Sequence, residues 1–233
     1  MRAPALLTVV VAAAGLSGCG GEQPRRTSAQ ADRPAPLATT TSAVEPMGEL
    51  GRPMKVPGTA NIFGAGREEP PAPAGGGPGD LPPYWLLPGT TDRVITFPKI
   101  TGRISPITPT EDNSAAGDRI GPTDITSYRG ISGIVHRRNG MYLVGVFLPD
   151  VELSDHAPKR LDFTKRARSG ALSPQIGQTF LVGNGKGRSY HVPPGATRLY
   201  LGFADGYLYV GSPGWYGNND GALSVTVRLA RAR

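Results

Sequence analysis

No apolar repeat with a period of 3.6 persists over three turns anywhere in the 233 residues. An amphipathic helix would have no continuous face to bury, so the fold has to be built from strands. The alternative period is plain at the C-terminal end. "GALSVTVRL" puts Leu223, Val225, Val227 and Leu229 on one face and Ser224, Thr226 and Arg228 on the other. "DRVITFPKITGRI" alternates in the same way, and "ATRLYLGFADGYLYVG" is a further strand-rich stretch. "ISGIVHRRNGMYLVGVFL" reads as two apolar runs joined by Asn139-Gly140, a hairpin signal, and "QTFLVGNGKGRSYHVP" repeats that design around a glycine-rich turn. The 33 Gly and 24 Pro, with only 18% charged residues, fit short strands punctuated by many turns. The expectation is an all-β sandwich of roughly eight to ten strands in a single domain, residues 59–233.

The first 58 residues read differently. Residues 1–18 carry one early Arg2 and then "ALLTVVVAAAGL", too short to span a bilayer and suited to a secretory signal peptide. The run closes on Leu16-Ser17-Gly18-Cys19, which resembles the lipobox of bacterial lipoproteins. The resemblance implies cleavage before Cys19, lipidation of its thiol, and an exported protein anchored to the cell membrane or cell surface. Cys19 is the one cysteine of the chain, so an internal disulfide is ruled out, which suits a modified thiol. Residues 19–58 are rich in Pro, Ala, Ser and Thr with almost no aromatic side chains, a composition that cannot bury a core and predicts a disordered tether. Ile62 and Phe63 in "ANIFGAG" then mark a first strand. "EEPPAPAGGGPGDLPP", residues 68–83, reads either as a long excursion within the domain or as the true end of the tether.

Catalytic motifs do not occur. The chain has no G-x-S-x-G elbow, no H-E-x-x-H and no Walker loop. Gly183–Ser189, "GNGKGRS", has the wrong spacing for a phosphate loop and reads as a hairpin turn. His136, His156 and His191 lie in three separate segments, and Glu111-Asp112 sits in a loop where solvated turn residues are the default. No enzyme is expected. The formal charge of +7 is spread over dispersed bases such as Arg93, Arg103, Arg119 and Arg188, with no nucleic-acid motif beside them, so no nucleic-acid partner is expected.

The stretch that carries specific chemistry is "GSPGWYGNNDGALSV", Gly211 to Val225. Asn, Asp and Gly are ordinary turn residues, and a plain hairpin turn is one reading. The other is that Asn218 and Asn219 offer amide oxygens to a hard cation such as calcium, which takes six to eight oxygens from carboxylates, amide side chains and backbone. Two neutral amides bind weakly, so a carboxylate is needed, and Asp205 in "LGFADG" supplies one if Tyr207–Val210 fold back as a short excursion.

These residues resemble the C-terminal signature of the PA-IL type of calcium-dependent, galactose-binding bacterial lectin, P-G-x-Y-G-N-N-x-G-x-x-S-V. Pro213, Gly214, Tyr216, Gly217, Asn218, Asn219, Gly221, Ser224 and Val225 match it. The resemblance implies a galactose-binding-like jelly-roll β-sandwich in which one calcium bridges the protein to vicinal sugar hydroxyls. It implies metal and sugar ligation by Asn218, Asn219, the backbone carbonyl of Trp215 and the carboxylate of Asp205, with a further carbonyl from an early loop near Pro106. The chain departs from the pattern by inserting "GYLYVGS" between the carboxylate and the Pro-Gly, and by placing Trp215 where the family has a small polar residue. The indole either provides a stacking platform for a sugar ring or caps the sandwich. The functional expectation is a surface-displayed, calcium-assisted carbohydrate-binding lipoprotein. The alternative is a structural or protein-interaction lipoprotein that keeps the fold without binding sugar.

Overall fold

The computed structural model describes residues 47–89, 92–107, 113–118, 121–165 and 170–232. Within them the fold is all-β, mostly strand with almost no helix. The strands are β1 (Met47–Gly48), β2 (Pro53–Pro57), β3 (Tyr84–Leu86), β4 (Arg93–Ser105), β5 (Thr123–Ile125), β6 (Ile134–His136), β7 (Val144–Leu148), β8 (Leu161–Asp162), β9 (Gly170–Leu172), β10 (Phe180–Leu181), β11 (Arg188–His191), β12 (Arg198–Gly202), β13 (Val210–Gly211) and β14 (Asp220–Arg231). They exceed the eight to ten expected because several are only two or three residues long. Such fragments are too brief to show an alternation.

Three mixed sheets result. The first has the order β1-β3-β12-β7-β10, the second β2-β14-β4-β11-β9, and the third β13-β5-β6-β8. The long β14–β4 antiparallel ladder is the spine of the second sheet. Its alternation follows the sequence: Leu223, Val225 and Val227 are buried while Ser224 and Arg228 are exposed. The register shifts between Thr226 and Arg228, which face Lys99 and Thr96. Phe97 and Pro98 therefore oppose Val227 alone, a bulge placed where proline has no N–H to give the ladder. Buried Trp85, Phe147, Phe180, Tyr190, Tyr200, Phe203 and Tyr216 supply the large side chains of the core.

Four expectations are corrected. Asn139-Gly140 does not close a hairpin: β6 pairs with β5 and β8, whereas β7 pairs with β12 and β10 in another sheet. Gly183–Ser189 likewise joins β10 of the first sheet to β11 of the second. Ile62 and Phe63 form no strand but a 3-10 turn, Ile62–Gly64, because Asn61 caps it: its Oδ1 accepts the Phe63 N–H at 3.0 Å. The folded part also begins before residue 59, since β2 pairs along β14 from Ala222↔Pro57 to Thr226↔Pro53 and buries Val56. β2 is an edge strand, the one position in a sheet that tolerates prolines at both ends, and this is why "PMKVP" passes for tether. Residues 1–46, including the signal peptide, Cys19 and most of the tether, lie outside the described residues, as do Glu111 and Asp112. Among the described residues no helix is long and apolar enough to cross a membrane.

Residues 68–83 are an excursion within the domain, pinned from both ends. Asn61 Nδ2 donates to the carbonyls of Pro71 (2.7 Å) and Pro78 (3.0 Å), and Asp80 exchanges backbone bonds with Thr59 and Asn61. The excursion brings Ala74 to Gly77 against the loop that precedes β14.

Candidate functional site

The first and second sheets are connected by residues 203–219, which run from the end of β12 to the start of β14. This connection contains Asp205, Trp215, Asn218 and Asn219. The inserted residues loop out: Tyr207–Tyr209 make a 3-10 turn and Val210–Gly211 form β13 on β5. Gly214 N–H then donates to the Asp205 carbonyl at 3.2 Å, closing the excursion so that the signature loop follows directly on the carboxylate.

The signature loop is held by its neighbours. The backbone N–H groups of Trp215, Tyr216 and Gly217 donate to the carbonyls of Gly75, Gly77 and Gly76 at 2.8, 3.2 and 3.0 Å, and Ala74 N–H donates to the Pro213 carbonyl at 3.0 Å. The approach is close enough to demand glycine. A Cβ on Gly76, at φ +70°, would sit 2.5 Å from the Trp215 ring, and one on Gly79, at φ +71°, would sit 2.3 Å from the Thr59 carbonyl oxygen. Tyr216, fully buried, ties the two ends together: its hydroxyl donates to the Phe203 carbonyl at 2.9 Å and accepts the Asp205 N–H at 3.0 Å.

Asp205 is 3% exposed. Its Oδ1 accepts the Gly206 N–H at 2.7 Å and its Oδ2 accepts Asn219 Nδ2 at 3.0 Å. Among the described residues no Lys or Arg pairs with it. Desolvation therefore dominates and lifts its carboxyl from the ordinary 3.8 to about 7, against the smaller lowering effects of Asn219 and the Gly206 N–H.

Asn219, 7% exposed, spends its amide nitrogen twice, on Asp205 Oδ2 and on the Gly58 carbonyl at 3.1 Å. Both partners are acceptors, so this amide orientation is fixed by chemistry. The Asn219 Oδ1 is left buried and receives no hydrogen bond from the described residues. A buried carbonyl oxygen without a donor costs on the order of 1–3 kcal/mol, so it marks a place where a positive group would be welcome. A buried carboxylate without a cationic neighbour marks the same place.

Asp205 and Asn218 line a cavity of about 200 Å3 together with Trp215, Pro106, Ile107 and Tyr207–Tyr209. The structure thus brings Asp205 to Asn219 by a direct hydrogen bond and Asp205, Asn218, Trp215 and Pro106 around one cavity. Trp215 is itself in the left-handed region at φ 67°, its Nε1 donates to the Ala74 carbonyl at 3.2 Å, and its ring lies 4.9 Å from that of Tyr207 at 46°. Sequence reasoning missed the role of Tyr207, Leu208 and Tyr209 as the wall of this cavity. The signal was there, three apolar residues in a short segment between glycines, but an insertion has no family position to inherit a role from.

Elsewhere, His136 lies on β6 and His191 on β11. Among the described residues no group of three or more His, Cys, Asp or Glu side chains is placed to hold a metal. A cation at the cavity would have Asp205 as its one carboxylate and amide or backbone oxygens otherwise. Two larger open grooves, of about 770 and 820 Å3, are lined by Lys99, Lys186 and Arg188 and by Arg67, Arg129, Asp150 and Glu152 among others, and neither contains a buried carboxylate. In comparisons with known proteins, no family, no curated protein and no solved structure matches the chain.

Proposed function

We propose that this is an exported, lipid-anchored protein whose domain is a galactose-binding-like jelly-roll sandwich that binds carbohydrate with the help of calcium. The observation that carries the reading is the buried Asp205 carboxylate, without a cationic partner among the described residues, hydrogen-bonded to an Asn219 whose own carbonyl oxygen is buried and receives no donor from them. These residues fit a hard cation: Asp205 supplies the charge, Asn218, Asn219 and the Trp215 carbonyl supply neutral oxygens, and these four residues leave some of the six to eight positions that calcium takes to other oxygens. When bound, the ion would accept sugar hydroxyls at its remaining positions. The chain's own part is to orient those oxygens through Tyr216 and the glycine-rich clamp and to offer Trp215 to a sugar face. Cys19 would hold the domain at the membrane.

The test is retention on immobilised galactose, with a panel of other monosaccharides, in calcium and then in chelator. Retention released by chelator and lost in Asn218→Ser supports the reading; no retention on any sugar counts against it. The second reading, a structural or protein-interaction lipoprotein, is favoured by one contact. Asn219 Nδ2 caps the Gly58 carbonyl and so ties the signature loop to the end of β2. Under that reading calcium, if it binds, only stiffens the loop.

A further inference from the structure

Among the described residues the large apolar side chains that remain exposed include Ile107 (50%), Tyr207 (56%), Leu208 (69%) and Val210 (43%). The first three line the cavity above Asp205, and Val210 ends the same loop. Singly exposed apolar residues are ordinary, but a cluster at the mouth of one cavity is not. The backbone there is also held in an unfavourable state. Leu208 and Tyr209 are consecutive non-glycine residues with φ of 52° and 61°, a conformation that costs free energy at each position.

The loop is nevertheless tied down. Tyr209 N–H donates to the Gly206 carbonyl at 2.9 Å, β13 pairs with β5, and Thr126 N–H donates to the Gly211 carbonyl at 2.7 Å. Burial is the usual reason to hold a leucine in such a backbone, and Leu208 is not buried. Held in this way, Leu208 lines the cavity beside Tyr207 while remaining open to solvent. The occupant has to suit a lining that is mostly apolar, with Tyr207, Leu208 and Ile107 on it, and whose polar part comes from the connection that carries Asp205 and Asn218. A cavity of about 200 Å3 is below the ~300–1,000 Å3 of sites for drug-sized ligands. It takes one ring or a part of one, so the rest of an occupant lies along the exposed side chains of Ile107, Tyr207 and Leu208 at the mouth.

We propose that the loop Gly206–Ser212 makes this a site for a glycoside that carries an apolar substituent next to its hydroxyls. The proposal rests on the carbohydrate-binding reading above. The hydroxyls meet the polar part of the lining and its cation, and the substituent covers the apolar wall that a bare sugar would leave wet.

The experiment is calorimetry of the full chain at saturating calcium, with matched methyl and hexyl glycosides of galactose, glucose, mannose and fucose below their micelle concentrations. Two methylenes on the wall are worth on the order of tenfold in affinity, so for the sugar that binds, the hexyl glycoside should bind at least about tenfold tighter than its methyl partner. Leu208→Gly removes the side chain and suits the left-handed backbone, so its fold is retained. It should cut the advantage to about threefold or less with calcium affinity unchanged, and Tyr207→Ser should do the same. Equal binding of the pair in the parent overturns the proposal while leaving the carbohydrate reading intact. So does an advantage that survives both substitutions, or hexyl binding that survives chelator, which marks a merely adhesive patch. Calcium-dependent binding of no glycoside at all overturns the carbohydrate reading and this proposal with it.

Discussion

Asp205→Asn gives a stability signature whose sign and size follow from the burial of one group. In metal-free protein the Asp205 carboxyl is lifted from 3.8 to about 7. An acid raised in this way keeps its proton in the folded state after the unfolded chain has lost it. Stability is therefore fully present below about pH 4, falls as pH rises, and is lost by about pH 7. Each pH unit is worth about 1.4 kcal/mol, so the penalty reaches ~4 kcal/mol at pH 7. For a domain of this size that is on the order of 10 °C in Tm. Asparagine keeps an oxygen for the Gly206 N–H but turns an N–H toward Asn219 Nδ2, a loss of about 1 kcal/mol. In chelator, the variant should start about 1 kcal/mol below the parent at pH 4, cross it near pH 5, and be the more stable protein at pH 7. Calcium at pH 7 should reverse that order by stabilising only the parent, by about 4.1 kcal/mol at a thousand times Kd. Thermal melts at half-unit pH steps, with and without chelator, measure all of this. A parent-minus-variant difference that stays constant from pH 4 to 7 refutes the argument that Asp205 is held ionisable in a desolvated site.

Three further outcomes check other parts of the account. Val56→Ala should lower stability by about 2 kcal/mol, read by denaturant melts, because Val56 is fully buried on β2; a change below about 0.5 kcal/mol would mean that β2 is not part of the folded core. Gly79→Ala should be more damaging than Gly75→Ala, since its Cβ meets the Thr59 carbonyl oxygen and Tyr216 while a Cβ on Gly75 meets nothing; equal Tm values for the two would remove the clamp from the description. Cys19→Ala should abolish acyl labelling and release the protein from the membrane fraction, and unchanged fractionation with a free Cys19 thiol in the parent would count against lipid anchoring.

The sequence spoke clearly where one strand's own side chains decide its burial. β14 alternates from Leu223 to Leu229 against a core on one side, so its face was readable without knowing its partners. The joins were not. Asn139-Gly140 and Gly183–Ser189 carry turn chemistry, but turn chemistry cannot say whether the flanking strands pair with each other or with strands in different sheets, and here they part. Ile62-Phe63 is too short to choose between strand and 3-10 turn, and it was Asn61, a cap, that decided. At the site, the grouping of Asp205 with the Asn218-Asn219 loop was legible from the signature and from the glycines that let "GYLYVGS" fold out. What could not be read was that residues 74–77 clamp the loop, since that contact joins segments more than 130 positions apart. The apolar wall was hidden for the same reason: Ile107 and Leu208 meet only in the folded chain.

Calorimetric titration of calcium into the metal-free protein at pH 7, repeated with Asp205→Asn, tests the central claim most directly. The account predicts one saturable site whose affinity collapses in the variant, with a matching rise in the melting temperature of the parent alone. Neither heat nor a melting shift in the parent, or the same affinity in both proteins, would contradict it.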